Sequence, residues 1–226
     1  MMMYASTRNA INIIYSNANE SHISLGKHRG IPMSIQRCVA LIALIILLPI
    51  LLISMLLIRI ESKGNCFFTQ DRIGKFGRHF RMYKFRSMYL KTDPLYQEPD
   101  KKTNDRDGVC KKYKVDPRTT KVGRFIRKYS IDELPQLFNI VTGDMALVGP
   151  RPGLSIEVDA YPTSAFSRLN GIPGLSGLWQ VSGRANTDFQ TQVELDHCYL
   201  NQQSIYLDVY ILLMTVPTVI NANGAY

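Results

Sequence analysis

An uncharged run of 21 residues, from Cys38 to Ile58, constrains the fold of this chain more than any other feature. A straight helix of that length would be roughly 30 Å long, enough to cross the hydrocarbon core of a bilayer. Pro49 lies near its middle, where it removes a backbone donor and favours a bend. Basic residues flank both ends, and such flanks mark the cytoplasmic side of a membrane segment. The run is therefore either a straight span or a helix that bends at Pro49 and returns to the same side.

Positive charge is concentrated in two blocks of this 226-residue chain of net charge +9. Between Arg59 and Lys91 there are nine Lys or Arg and two acids, and between Lys111 and Lys128 there are eight and one. Such blocks indicate an anionic partner: nucleic acid, anionic lipid or a phosphorylated substrate. The four cysteines and four histidines are scattered. That spacing argues against disulfides, a zinc site or a histidine metal site.

The stretch 130–152, SIDELPQLFNIVTGDMALVGPRP, combines adjacent carboxylates with a predicted helix start. Pro135 is tolerated only in the first turn of a helix, so the helix is predicted to begin near Asp132. Ser130 and Glu133 have the spacing of a capping box. Three cations lie just upstream: Arg124, Arg127 and Lys128. Acids at a helix start are ordinarily caps, but a carboxylate, a helix N-terminus and several cations together suit phosphate chemistry.

Three stretches together resemble a known family. They are 70–88 (QDRIGKFGRHFRMYKFRSM), 116–152 (DPRTTKVGRFIRKYSIDELPQLFNIVTGDMALVGPRP) and 173–184 (PGLSGLWQVSGR). In this order they resemble the small, monotopic polyprenyl-phosphate phosphoglycosyl transferases, bacterial sugar transferases that start polysaccharide and glycoconjugate assembly. The resemblance extends over about residues 34 to 226. It implies transfer of a sugar 1-phosphate from a UDP-sugar to undecaprenyl phosphate, with release of UMP.

The resemblance also implies roles for individual residues. Asp132 matches the nucleophile that forms a covalent phosphosugar intermediate, and Glu133 matches the neighbouring carboxylate that binds Mg²⁺. Arg127 matches a phosphate-binding arginine. Further basic positions are expected around the nucleotide and phosphates: Lys84, Arg151 and Arg184. This combination of acidic and basic residue types makes physical sense, because a carboxylate can approach a diphosphate only if cations neutralise the repulsion between them.

The expected fold class is α+β: a compact, mostly helical cytosolic domain with short strands, anchored by an N-terminal re-entrant membrane helix and interfacial helices. We expect a polar tail over 1–32, the membrane helix over 33–60 and the catalytic domain over 61–226. The resemblance implies a break at a Ser-Pro pair, whereas this chain has Leu48-Pro49. The basic flanks and the need to meet a cytosolic UDP-sugar nevertheless favour re-entry, at the bacterial inner membrane with the domain facing the cytosol.

Short strands are predicted near 66–70 and 81–85, around a turn at Gly74 to Gly77. Helices are predicted over 119–128, 132–141 and 189–200, with a shorter apolar helix over 209–220. Residues 89–113, which are polar and contain Pro and Gly, are predicted to form a loop. Trp179, the only tryptophan, is assigned to the core in preference to a sugar platform.

Two other classes of function would use parts of this sequence. A membrane-anchored binder of nucleic acid or anionic lipid would use the basic blocks but has no need for the DELPQ motif, so no nucleic-acid partner is expected. A silent scaffold in a polysaccharide assembly complex is disfavoured by the intact Asp132, Glu133 and Arg127. The further expected partners are inner-membrane lipid, a second copy of the chain in a homodimer, and downstream glycosyltransferases. The sequence does not identify the sugar, the polysaccharide pathway or the oligomeric state.

Overall fold

Two helices bent relative to each other begin the described part of the chain. The computed structural model describes residues 29–98, 116–183 and 187–221. Helix α1 (Met33–Ile46) and helix α2 (Leu48–Glu61) are bent by 60° away from a straight line at the break between them. No single helix in these ranges is long and apolar enough to cross a bilayer, whereas the bent pair, taken together, has the necessary length and composition.

The break falls at Leu47, two residues before the predicted position at Pro49. Pro49 lies in the first turn of α2, where a missing N–H costs little. Its ring conflicts with a carbonyl four residues earlier, so the helix must change direction before the proline is reached. The proline therefore causes the bend but does not lie at its apex.

A β-hairpin follows. Strand β1 (Phe67–Ile73) pairs antiparallel with strand β2 (His79–Phe85), in a register that places Phe67 opposite Phe85 and Ile73 opposite His79. The chain reverses at Gly74 to Gly77, where Gly77 has a φ of 79°. The two predicted strands and their turn are confirmed, and both strands are longer than predicted.

The predicted single helix from Asp132 is wrong in detail. Helix α3 (Lys121–Lys128) is followed by a 3-10 turn (Ile131–Glu133) and then by helix α4 (Gln136–Thr142). The predicted capping box is absent, because Ser130 takes a left-handed conformation (φ 54°) and makes no side-chain cap. Pro135 is the N-cap of α4 and separates it from the 3-10 turn.

The rest of the domain is built around a short parallel strand pair, β3 (Ala146–Val148) and β4 (Gly174–Ser176). The remaining helices are α5 (Ser155–Asp159), a 3-10 segment (Thr163–Asn170), α6 (Leu178–Ser182), α7 (Phe189–Gln202) and α8 (Ile205–Ile220). The predicted helices over 189–200 and 209–220 are confirmed with extended ends. The predicted fold class, α+β and mostly helical, is confirmed for the described residues.

The main hydrophobic core lies between α1, α4, β3 and the helices α6 to α8. Trp179 is only 5% exposed and belongs to this core, as predicted. Residues 1–28 of the expected tail over 1–32 lie outside the described residues. Residues 99–113 of the expected loop over 89–113 also lie outside them.

The apolar helix pair is attached to the domain at its first end through a buried glutamine. Gln36 is 1% exposed. Its amide nitrogen donates to the carbonyl of Ile31 (2.6 Å), and its amide oxygen accepts from the backbone N–H of Leu147 in β3 (2.6 Å). Ile31 in turn donates its N–H to the Asp208 carboxylate in α8 (2.8 Å). This end of the helix pair is therefore held by hydrogen bonds to β3 and α8 of the domain.

Replacing Gln36 by leucine should destabilise the fold, because the buried N–H of Leu147 then loses its acceptor. We expect a loss of about 1–3 kcal/mol in the free energy of unfolding, measured by urea denaturation of the full chain in detergent. Gln190→Leu, at an exposed position of α7, is the matched control and should change stability little. Equal stability of the two variants would contradict a structural role for the Gln36 bridge.

Candidate active site

The two adjacent carboxylates lie in the 3-10 turn between α3 and α4. The turn is closed by hydrogen bonds from the N–H of Glu133 to the carbonyl of Ser130 (3.1 Å) and from Leu134 to Ile131 (3.2 Å). Asp132 is 8% exposed, whereas Glu133 is only partly buried. One carboxylate is thus largely removed from water while its neighbour faces the surrounding cations.

Two of those cations contact Glu133 directly. The Lys84 ammonium of β2 donates to Glu133 Oε1 at 2.6 Å, and Arg151 Nη1 lies 3.8 Å from the same oxygen. The Lys84 side chain is 16% exposed, so its ion pair is weakly screened by water. The hairpin, the carboxylate turn and the Gly149–Pro152 turn after β3 therefore meet at Glu133, which brings together two of the predicted cations, Lys84 and Arg151.

Asn139, which sequence reasoning missed, sets the position of β2 at this site. It has no exposed surface. Its side-chain nitrogen donates to the carbonyl of Arg81 (2.8 Å), and its oxygen accepts from the N–H of Tyr83 (3.1 Å). These bonds hold α4 against β2 immediately before Lys84. The available signal was a polar side chain within the apolar stretch LFNIV, where a buried amide must find partners.

Arg127 lies in the last turn of α3. It donates through Nη1 to Thr119 Oγ1 (3.2 Å), and its charge lowers the pKa of Asp132. The structure therefore places it within electrostatic range of the buried carboxylate. Arg184, the remaining predicted site residue, lies outside the described residues.

Burial raises the pKa of Asp132 to about 6. Lys84 opposes this shift, Glu133 adds to it through charge repulsion, and Arg127 opposes it. Near neutral pH the carboxylate is therefore mostly ionised although it is poorly hydrated. A poorly hydrated anion beside cations is well suited to attack an electrophile from which bulk water is excluded.

A magnesium ion fits the chemistry of this site. Among the described residues no three His, Cys, Asp or Glu side chains form a complete metal cluster. Mg²⁺ needs no such cluster, because it commonly takes one or two protein carboxylates and completes its coordination with water and substrate phosphates. Asp132 and Glu133 supply oxygen donors of that kind, and the Glu133 oxygen now bonded to Lys84 would have to be shared with the ion.

The site thus combines the buried Asp132 with a neighbouring carboxylate, Glu133, that is paired with two cations. The family model described as bacterial sugar transferase matches residues 28–222. The chain therefore belongs to the bacterial sugar transferase family. The family and the enzyme class predicted from the sequence are confirmed.

Individual relatives agree with this assignment. The exopolysaccharide production protein ExoY of Rhizobium meliloti is 39% identical over 192 residues, covering 83% of this chain and 84% of ExoY. The galactosyl transferase CpsE of Streptococcus agalactiae is 45% identical over 166 residues, 73% of this chain. The undecaprenyl-phosphate galactose phosphotransferase of Salmonella typhimurium is 43% identical over 170 residues, 72% of this chain. The matches cover only 37% of CpsE and 35% of the Salmonella protein, so this chain corresponds to part of those longer relatives.

The raised pKa of Asp132 predicts how its replacement alters stability with pH. In the folded wild type the Asp132 carboxyl keeps its proton up to about pH 6, whereas in the unfolded chain it releases the proton near pH 3.8. The contribution of Asp132 to stability therefore falls as the pH rises between these two values. Asp132→Asn lacks this titration. As the pH rises from about 4 to about 7, the free energy of unfolding of the variant should therefore increase relative to that of the wild type by roughly 2–3 kcal/mol, measured by urea denaturation.

Taking the difference between the two proteins removes the contribution of Asp196, a second buried carboxylate whose pKa is also about 6. A difference in stability that stays constant over this pH range would contradict the burial-driven shift of Asp132.

Proposed function

We propose that this protein transfers a sugar 1-phosphate from a UDP-sugar to undecaprenyl phosphate, with release of UMP, in the first membrane step of polysaccharide or glycoconjugate synthesis. The observation that carries the proposal is the cluster of the buried Asp132 with Glu133, Lys84 and Arg151. Two relatives have names of this type: the Salmonella galactose phosphotransferase, and an undecaprenyl-phosphate N-acetylgalactosaminephosphotransferase of Aeromonas hydrophila that is 38% identical over 192 residues.

The reaction proceeds in two displacements at one phosphorus atom. An oxygen of the Asp132 carboxylate attacks the phosphorus that carries the sugar, the bond from that phosphorus to the bridging oxygen breaks, and UMP leaves with the bridging oxygen. A phosphate oxygen of undecaprenyl phosphate then attacks the same phosphorus, and Asp132 departs as a carboxylate. Splitting the transfer in this way avoids a direct encounter between two anionic substrates.

The cations of the site make the first displacement feasible. Lys84 and Arg151 already lie against Glu133 and can extend their remaining donors to phosphate oxygens. Arg127 lies in the last turn of α3, directly before the carboxylate turn. Their positive charge offsets the repulsion between Asp132 and the diphosphate, and because the groups are held in place before substrate arrives, little reorganisation is required.

Glu133, with Asp132 beside it, would hold Mg²⁺, which when bound supplies charge neutralisation on the substrate phosphates. Loss of UMP release in excess EDTA, and its return on addition of Mg²⁺, is the test of that role. Activity unaffected by EDTA would remove the metal from the proposal.

We further propose that the bent helix pair is a re-entrant anchor in the bacterial inner membrane, with the catalytic domain facing the cytosol. Two contacts support this arrangement. Before α1, Ile31 donates its N–H to Asp208, and at the last residue of α2 the Glu61 carboxylate accepts from the backbone of α3. Both ends of the pair thus contact one domain.

Replacing Asp132 by asparagine should abolish UMP release, because the change preserves shape but removes the nucleophilic charge. The substrates to test first are UDP-galactose and UDP-N-acetylgalactosamine, after the sugars in the relatives' names, followed by a wider panel of UDP-sugars with undecaprenyl phosphate present. In the wild type, a phosphosugar adduct trapped without acceptor should map to the peptide containing Asp132.

Asp159→Asn, which alters an exposed aspartate at the end of α5, is the matched control and should retain activity. Wild-type activity in Asp132→Asn would overturn the mechanism. A wild type that releases UMP from no UDP-sugar would overturn the function itself.

The topology is testable by labelling single cysteines in a variant lacking the native ones. A cysteine at Arg29, which precedes α1, and one at Ser164, an exposed residue of the domain, should both be protected from a thiol reagent that cannot cross the inner membrane. Pro49→Ala restores the missing backbone donor, so part of the Arg29→Cys population should become labelled as the helix straightens.

Ser164→Cys should stay protected in the proline variant, which controls for leaky membranes. Labelling at Arg29→Cys with Pro49 intact would mean an ordinary span, and the re-entrant arrangement would be wrong while the proposed chemistry remained.

A further inference from the structure

The last residue of α2, Glu61, caps a helix of the catalytic site. Its two carboxylate oxygens accept from the N–H groups of Lys121 (2.7 Å) and Val122 (2.8 Å), the first two residues of α3. These are amides that an α-helix cannot satisfy internally, and a carboxylate here also complements the helix dipole. The apolar helix pair therefore ends in an ion-dipole contact with α3.

Helix α3 connects this contact to the reacting carboxylate. It has only eight residues, with Glu61 bound at its first turn and Arg127 in its last. A helix so short has little stability of its own, and its position is set by what holds it. Thr120 supplies a further cap, accepting from the N–H of Gly123 (2.8 Å). The position of Arg127 relative to Asp132 thus depends on the anchoring of the start of α3.

A separate apolar cluster supports the same geometry. Ile58 of α2, Phe85 of β2 and Ile126 of α3 pack together, and each is 3% exposed or less. Phe85 directly follows Lys84, and Ile126 directly precedes Arg127. The end of α2 is therefore packed against the neighbours of two site cations, in two different elements.

The loop after α2 is bonded to the hairpin as well. Arg86 donates to the carbonyl oxygens of Ser62 (2.5 Å) and Lys63 (2.9 Å). The arginine is 5% exposed, so these bonds are protected from competition by water. Strand β2 cannot shift along α2 without breaking them.

We propose that Glu61 is a positioning residue for the transfer reaction: by capping α3 it holds Arg127 where the substrate diphosphate meets Asp132. The apolar helix pair then sets the geometry of the catalytic site in addition to anchoring the protein. What Arg127 binds rests on the proposed function. The competing explanation is a cap that contributes to folding stability alone.

The two explanations predict different kinetics. A cap that only stabilises the fold would lower the fraction of active enzyme and hence the maximal rate, with KM unchanged. Displacement of Arg127 weakens binding of the diphosphate, so KM for the UDP-sugar rises. For Glu61→Gln, which retains one acceptor oxygen, and Glu61→Ala, which retains none, we expect KM to rise in that order, by about fivefold or more for alanine.

The measurement uses the full chain in lipid nanodiscs, with UMP release from whichever UDP-sugar the wild type accepts. Ser204→Ala is the matched control. Ser204 caps α8 by accepting from the N–H of Leu207, and α8 carries none of the cations of the site. KM should be unchanged in this variant. Unchanged KM in both Glu61 variants overturns the proposal.

Hydrogen exchange provides a readout that does not require turnover. In the Glu61→Ala variant, faster exchange should extend from 121–123 through the carboxylate turn at 131–134, where the N–H groups of Glu133 and Leu134 are hydrogen-bonded. Faster exchange confined to 121–123 overturns the proposal. A wild type inactive on every UDP-sugar shows failure of the proposed function, and the exchange pattern then decides the positioning role by itself.

Discussion

The ion pair between Lys84 and Glu133 is the interaction on which the site depends. Two neighbouring carboxylates, one of them buried, repel each other, and such an arrangement persists only where cations offset the repulsion. Lys84 binds Glu133 at 2.6 Å and also lowers the pKa of Asp132. The cost of burying Asp132 is thereby kept within what a folded protein tolerates, and this carboxylate stays ionised near neutral pH. The hairpin that carries Lys84, the Asn139 bonds that fix the hairpin and the turn that carries Arg151 all serve to maintain this balance.

Local patterns predicted much of the architecture. The hairpin was readable from alternating side chains around glycines, and α3, α7 and α8 were readable from periodicity and caps, because each depends on neighbouring residues. The predicted roles of the site residues came from the resemblance of three long motifs to a family. The comparisons confirm membership of that family, and the structure brings Lys84 and Arg151 next to Glu133.

What the sequence concealed was produced by long-range contacts. Ser130 and Glu133 have capping-box spacing, but the chain has to turn sharply between α3 and α4, so Ser130 takes a left-handed conformation and a 3-10 turn replaces the helix start. Asn139 and Glu61 resembled ordinary helix residues, since their partners lie 56 to 61 positions away in the sequence. No local pattern encodes such pairings. They become visible only when the elements are assembled.

The left-handed conformation of Ser130 has a consequence for engineering this protein. A serine at φ 54° is strained, and glycine would adopt this conformation without a steric penalty. Glycine would also enlarge the range of conformations open to the residue two positions before Asp132. The strained serine restricts the directions in which the carboxylate turn can leave α3, at the cost of some local folding energy. Thermostability screens that favour glycine here would therefore also select for a less restricted carboxylate turn.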